Sequence, residues 1–149
     1  MSKTTDITMI IAVDFDGTIV EHAYPKIGKE RPFATATLRQ LQKDGHLLVL
    51  WSVREGELLE EAVKWCKERG VTFYAVNKNT DEEGRENADN PNYSRKLKVH
   101  MFIDDRNLGG MPDWGVIYQL ITKNLAFEAY YKRLFAQQQP PKTSRWKLF

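Results

Sequence analysis

The sequence predicts an α/β fold of three layers, in which a mainly parallel five-stranded sheet is covered by helices. Short apolar runs alternate with amphipathic segments along the chain, which is typical of strand–helix–strand units. These runs are continuous and about five residues long, as expected for strands buried on both faces. At 149 residues and 42% apolar residues, the chain is long enough for one packed core.

The first half of the chain contains two predicted strands and one helix. Residues 9–15 read Met-Ile-Ile-Ala-Val-Asp-Phe and predict the first strand, which Gly17 ends. Apolar residues then recur at helical spacing from Phe33 to Gly45, where glycine is a typical C-terminal stop. Leu47–Trp51 is a second apolar run and predicts the second strand.

The clearest helix signal lies between Glu55 and Arg69. Its apolar stripe consists of Leu58, Leu59, Ala62, Val63 and Cys66. Gly70 predicts its end, and Val71–Val76 predicts the third strand. We expect Cys66, on this stripe, to be a small core residue.

The second half of the chain predicts two strands and a closing helix. Residues 77–94 are polar and predict a loop. Val99–Ile103 predicts the fourth strand and Gly115–Leu120 the fifth. The closing helix is indicated by Phe127, Tyr130, Tyr131 and Leu134. We expect one domain over residues 1–136 and a loosely held tail over residues 137–149.

Composition excludes several classes of protein. With 22 Lys and Arg against 20 Asp and Glu the net charge is +2, so the chain has no large basic field and nucleic-acid binding is not favoured. No apolar run is long enough to span a bilayer, and the N-terminus lacks a signal-peptide pattern. Cys66 is the single cysteine, so no internal disulfide forms. We therefore expect a cytoplasmic protein, whose oligomeric state the sequence leaves open.

Acidic residues follow two of the predicted strands where those strands end. Asp14 and Asp16 lie at the end of the first strand, and Asp104 and Asp105 come directly after the fourth. Ligands of parallel sheets bind beyond the carboxyl ends of the strands, so we expect these side chains to converge. Four carboxylates in one crevice repel one another unless a cation neutralises them, and Mg²⁺ is the preferred ion for such oxygen ligands. Together with Ser52 and a nearby lysine, this pattern indicates phosphoryl chemistry.

The two aspartates of the first strand fit two chemical roles. One carboxylate can attack phosphorus and form an aspartyl-phosphate, which divides the hydrolysis into two easier steps. The other, two residues on, can protonate the leaving oxygen and later activate water. Since residues i and i+2 of an ideal strand face the same side, Asp14 and Asp16 are expected together.

These motifs resemble those of the haloacid dehalogenase superfamily of phosphatases. Asp14–Thr18 reads Asp-Phe-Asp-Gly-Thr and matches the first motif, Asp-x-Asp-Gly-Thr, after its apolar strand. Ser52 matches the second motif, Lys96 the third, and Ile103-Asp104-Asp105 the fourth. The match extends over most of the chain, and it is specific because all four motifs occur in order. The resemblance implies a Rossmann-like domain and, since neither inter-motif interval has room for a cap, a small capless member.

The resemblance also implies catalytic and metal-binding roles. Asp14 would be the nucleophile, with its other oxygen on Mg²⁺. Asp16 would be the general acid and base, with its backbone carbonyl on the metal. Asp104 would bind Mg²⁺. Asp105 would either bind it too or contact the residues that bind it.

The phosphate-binding residues are implied in the same way. Ser52 and Lys96 would bind the phosphoryl group, with Lys98 as the alternative lysine, and Thr18 would shape the phosphate loop. Arg54 is interpreted as a surface residue. His22, His46 and His100 lack metal-ligand spacing, so no histidine metal site is expected.

The predicted function is hydrolysis of a phosphorylated substrate, small or macromolecular, with Mg²⁺ as cofactor. One alternative is a nucleotide or polynucleotide end-phosphatase, because Ile-Asp-Asp-Arg at 103–106 is similar to a string in polynucleotide end-processing enzymes. The other is a binding or regulatory module that keeps the scaffold without turnover. The carboxylates at positions 14, 16, 104 and 105 argue against the second alternative.

Overall fold

The structure is a computed structural model that describes residues 8–80, 89–124 and 127–138. The chain divides into two compact units, Met1–Trp114 and Gly115–Phe149. The first unit contains the sheet and all the predicted site residues. No helix in the described ranges combines the length and the apolar character needed to cross a membrane.

The sheet of the first unit has four parallel strands in the described residues. They are β1 (Ile10–Val13), β2 (Leu47–Leu50), β3 (Ala75–Val76) and β4 (Met101–Ile103), in the spatial order β3-β2-β1-β4. In register, Val13 of β1 lies between Leu50 of β2 and Ile103 of β4. The predicted α/β fold with a parallel sheet is therefore confirmed, and β1 occupies an interior position.

The buried faces of the strands explain their apolar sequences. Ile11, Ala12 and Val13 of β1 are fully or almost fully buried. One core cluster joins Ala12, Val49, Ala75 and Leu97 across the sheet. Strands covered on both faces need apolar residues at every position, which is why β1 and β2 read as continuous runs.

Two helices of the first unit follow their predicted positions. Helix α1 (Ala34–Lys43) buries Ala34, Leu38 and Leu41. Helix α2 (Gly56–Glu68) buries Ala62 and Cys66, so the prediction that Cys66 is a core residue is confirmed. Both segments end at glycines with positive φ, Gly45 and Gly70, as their sequences predict.

The predicted fifth strand is wrong, because Gly115–Leu120 lies within helix α3 (Trp114–Thr122). Its buried residues are Trp114, Ile117, Leu120 and Ile121. Their spacing of three and four positions places them on one helical face, whereas a strand would bury alternate residues. A five-stranded sheet is thus replaced by four strands in the described part of the chain.

The closing helix is confirmed as α4 (Phe127–Gln138). Most of the predicted tail, residues 139–149, lies outside the described residues, as do residues 81–88 of the predicted loop. The single domain over residues 1–136 stays a prediction.

Candidate functional site

The carboxyl ends of the four strands lie side by side. The backbone N–H of Asp14 donates to Ile103 O at 3.0 Å, and that of Trp51 donates to Val13 O at 2.8 Å. The N–H of Asn77 donates to Leu50 O at 2.8 Å. The residues that follow β1, β2, β3 and β4 therefore share one edge of the sheet, where parallel sheets bind ligands.

Three aspartates form a cluster at this edge. Asp14, Asp104 and Asp105 each offer a carboxylate oxygen, and these oxygens all lie within 4.8 Å of one another. All three side chains are partly buried. The cluster can hold a metal ion, and its donors are the hard oxygens that Mg²⁺ and Ca²⁺ prefer.

Thr18 connects two members of the cluster. Its hydroxyl lies 2.9 Å from Asp14 Oδ2 and 3.2 Å from Asp105 Oδ1, and it accepts the backbone N–H of Asp105 at 3.1 Å. The carbonyl of Thr18 accepts a hydrogen bond from the indole of buried Trp114 at 2.9 Å. Thr18 is therefore fixed at both ends, and its hydroxyl reaches the carboxylates.

The electrostatics of the cluster favour a cation. Burial raises the pKa of Asp14 to about 7, helped by a hydrogen bond with Asp105 and by the negative charge of Asp104. The pKa of Asp105 is lowered because hydrogen bonds from His22, Asp14 and Thr18 outweigh the effect of burial. The Asp14 carboxyl is therefore harder to ionise than an ordinary aspartate, and a nearby positive charge would favour its ionised form.

His22 lies beside the cluster. The residues around it in the sequence do not indicate this position. Its Nε2 is 2.9 Å from Asp105 Oδ2, although the two residues are 83 positions apart. Only the folding of the Ile19–Arg31 segment back over Gly17 creates this contact. Arg31 stabilises this arrangement, because its Nη1 donates a hydrogen bond to Gly17 O at 2.7 Å.

Asp16 does not point into the three-aspartate cluster. Its two carboxylate oxygens accept hydrogen bonds from Arg54 Nε and Nη2, each at 2.7 Å. Such a bidentate arrangement fixes the orientation of a carboxylate as well as its charge. The roles predicted for Asp16, including its backbone carbonyl as a metal ligand, stay predictions.

Arg54 is completely buried, so its interpretation as a surface residue is wrong. Besides Asp16, its guanidinium donates to the carbonyls of Pro25 at 3.1 Å, Lys26 at 3.0 Å and Leu58 at 3.4 Å. Hydrogen bonding to Asp16 raises its pKa further, so the cation is permanent. A buried arginine requires such a full set of acceptors. Apart from Leu58, these acceptors are 28 to 38 positions away in sequence.

Ser52 lies at the carboxyl end of β2, one residue beyond Trp51. Its backbone N–H donates to Asn77 Oδ1 at 2.8 Å, and its hydroxyl accepts the N–H of Arg54 at 3.1 Å. Asn77, which the sequence analysis did not single out, has a positive φ of 55° at the end of β3. Asparagine adopts a positive φ more readily than most residues. An asparagine directly after the predicted third strand was therefore the sequence feature that could have indicated a turn here.

The segment with the two candidate lysines lies before β4, and both Lys96 and Lys98 are exposed. Between them, Leu97 is buried in the core cluster with Ala12, Val49 and Ala75. The N–H of Lys98 donates to Asn79 Oδ1 at 2.7 Å, which connects this segment to the loop after β3. The phosphate-binding roles of Thr18, Ser52 and Lys96 stay predictions.

Comparison with known proteins places the chain in a family. No model of a described protein family matches the sequence. A solved structure of a conserved protein from Bacteroides thetaiotaomicron is 58% identical, with a TM-score of 0.76. The match covers 84% of this chain and 98% of that one. The chain therefore belongs to the family of that conserved Bacteroides protein.

A more distant relative carries a functional name. A Bacillus cereus protein named "Putative nucleotidase" is 28% identical over 75 residues. The match covers 50% of this chain and 38% of the relative, so the chain spans well under half of that protein's length.

Proposed function

We propose that the protein is a Mg²⁺-dependent phosphomonoester hydrolase that acts through an aspartyl-phosphate on Asp14. The observation that carries the proposal is the cluster of Asp14, Asp104 and Asp105 at the carboxyl edge of a parallel sheet. The resemblance of its motifs to haloacid dehalogenase phosphatases supports the same chemistry. The nucleotidase name of the Bacillus cereus relative points in the same direction.

The donor set fits a hard divalent cation. Asp14, Asp104 and Asp105 would hold it, and their mutual repulsion would be relieved on binding. A bound Mg²⁺ would neutralise charge on the phosphoryl oxygens and on the carboxylates.

The remaining steps belong to the side chains. A carboxylate oxygen of Asp14 attacks phosphorus, and the bond from phosphorus to the leaving oxygen breaks. Asp16 gives that oxygen its proton and then takes one from the water that hydrolyses the acyl phosphate, which restores Asp14 and releases phosphate. Because Arg54 binds both oxygens of Asp16, one of them must leave Arg54 for this role.

The substrate class is a second part of the proposal. A nucleotide phosphate is the first candidate, because the Bacillus cereus relative is named a nucleotidase. A polynucleotide end would bind with strong salt dependence, which separates it from a free nucleotide.

The test is phosphate release from an aryl phosphate and from nucleoside 5′-monophosphates, with Mg²⁺ and with a chelator. We expect turnover that requires Mg²⁺, is lost in Asp14→Asn and persists in Asp44→Asn, an exposed carboxylate beyond α1. Full activity of Asp14→Asn would overturn the nucleophile assignment. Mg²⁺ binding without turnover of any phosphoester would identify a binding module.

A further inference from the structure

We propose that the ring of Tyr24 is a stacking platform for a planar, aromatic leaving group, which makes the preferred substrate a phosphate ester of a base-bearing or aryl alcohol. The inference rests on the proposed function, because it concerns the group that leaves phosphorus. Tyr24 lies in the Ile19–Arg31 segment, which follows β1 and folds back over Gly17.

Three contacts around one guanidinium hold Tyr24 in place. The Tyr24 ring centroid lies 5.2 Å from Arg54 Cζ. The next two residues, Pro25 and Lys26, accept hydrogen bonds from the same guanidinium through their backbone carbonyls. Arg54 in turn lies 5.2 Å from the centroid of buried Phe15, which packs edge-on against Trp65. A ring fixed in this way loses little conformational freedom when a ligand stacks on it.

The same guanidinium places Tyr24 beside the chemistry. Arg54 binds Asp16 with two nitrogens and its Cζ lies over the Tyr24 ring, so the ring and the carboxylate share one neighbour. In the proposed reaction Asp16 protonates the leaving oxygen. The body of the leaving group therefore extends from the phosphorus past Asp16, toward the Tyr24 ring.

Exposure distinguishes Tyr24 from the other aromatic ring on Arg54. Phe15 is completely buried, whereas 56% of Tyr24 is exposed. A tyrosine held by a buried cation yet open to solvent offers its surface to a ligand. Stacking of a base on such a ring contributes enough free energy to change affinity by about tenfold or more.

The experiment compares adenosine 5′-monophosphate with ribose 5-phosphate, which carries the same ester without the base. Binding is measured by calorimetry with Mg²⁺ in an Asp14→Asn background, so that neither ester is consumed. We expect Tyr24→Ala to weaken adenosine 5′-monophosphate roughly tenfold and to leave ribose 5-phosphate unchanged. Tyr24→Phe keeps the ring and should retain the affinity.

Tyr74→Ala is the matched control, because Tyr74 is also an exposed tyrosine but precedes β3, at the opposite end of its strand. It should change neither affinity. Equal losses for both esters in Tyr24→Ala, no preference for adenosine 5′-monophosphate over ribose 5-phosphate, or no binding of adenosine 5′-monophosphate would each overturn the inference. Mg²⁺-dependent turnover of ribose 5-phosphate by the wild type would leave the proposed function standing in all three cases.

Discussion

Gly17 occupies a position where any side chain would enter the acidic cluster. Its φ is +85°, and a Cβ atom there would lie 2.2 Å from His22 Nε2 and 2.4 Å from Asp105 Oδ2. Its N–H also donates to Val20 O at 2.7 Å, which turns the chain after β1. Glycine is thus required both for the backbone conformation and for the close approach of two side chains.

Gly17→Ala should reduce both stability and cation binding. The left-handed backbone alone costs an alanine about 1–2 kcal/mol, and the Cβ must displace His22 or Asp105. The measurements are the free energy of unfolding and the affinity for Mg²⁺. Gly45→Ala is the control, because Gly45 has a φ of +95° and its nearest neighbour would be 3.8 Å away. It should lose only the backbone part of that stability and keep its Mg²⁺ affinity. Retained affinity in Gly17→Ala would contradict the close approach.

Arg54 and Asp16 should show strong coupling in a double-mutant cycle. Arg54→Met leaves the Asp16 carboxylate buried without its partner, which typically costs about 3–5 kcal/mol. Asp16→Asn combined with Arg54→Met removes both charges and should recover part of that loss, as measured by denaturant unfolding. Simple additivity of the two single variants would show that the pair is not an energetic unit.

Individual residues also show which parts of the site could be predicted from the sequence and which could not. Asp14, Asp104 and Asp105 were predictable because each directly follows or ends a recognisable strand. The burial of Arg54 was not, because it depends on the carbonyls of Pro25 and Lys26, which are 29 and 28 positions away. Contacts of this range arise from how a loop folds back, and loop sequences carry no periodic signal.

At the scale of elements, helix α2 carries a titratable group inside the core. Cys66 is completely buried, and burial raises the pKa of its thiol to about 12. The thiol therefore stays protonated in the folded chain at every physiological pH. Since the thiolate is the reactive form, Cys66 is inert while α2 is packed.

The free energy of unfolding should decrease with rising pH because of the buried Cys66 thiol in α2. Between about pH 8.5 and 12 the folded state keeps the thiol proton that the unfolded state releases, so the free energy of unfolding falls as pH rises. We expect a loss of about 1.5–2 kcal/mol from pH 8 to pH 10 through this group. The measurement is denaturant unfolding at both values. Cys66→Ala should be less stable at pH 8 but should lose less on going to pH 10; equal losses in the two proteins would contradict the assignment.

Elements were predictable where length and periodicity agreed. Helices α1 and α2 have long apolar stripes and glycine stops, and the structure confirms them. Gly115–Leu120 is only six residues of mostly apolar character, and a run of that length does not distinguish a strand from a buried helix. Extending the window to Trp114 and Ile121 would have shown the helical spacing.

At the scale of the whole molecule, cation binding at the acidic cluster would be linked to global stability. The repulsion among Asp14, Asp104 and Asp105 opposes folding in the absence of a cation. A cation that binds only the folded state adds about 2.7 kcal/mol of stability at a concentration 100 times its Kd.

Mg²⁺ should therefore raise the Tm of the wild type in a concentration-dependent way. Asp104→Asn should be more stable than the wild type without Mg²⁺, because one repelling charge is gone while Asn keeps the oxygen that accepts the N–H of Arg106 at 2.9 Å. The same variant should gain little from Mg²⁺. The measurement is thermal unfolding over a Mg²⁺ titration, with Asp44→Asn as the control that should behave as the wild type. A Tm of Asp104→Asn that rises with Mg²⁺ as steeply as that of the wild type would count against the site.

The pairing of β1 with β4 also has a kinetic consequence. Ile10 and His100 exchange hydrogen bonds in both directions, so this edge of the sheet closes a loop of 90 positions. The β1–β2 pairing, between Ile10 and Leu47, joins residues far closer in sequence and can form earlier. Asp14 meets Asp105 only once the longer loop has closed. A bound cation would therefore lower the rate of unfolding, and it would not raise the rate of folding.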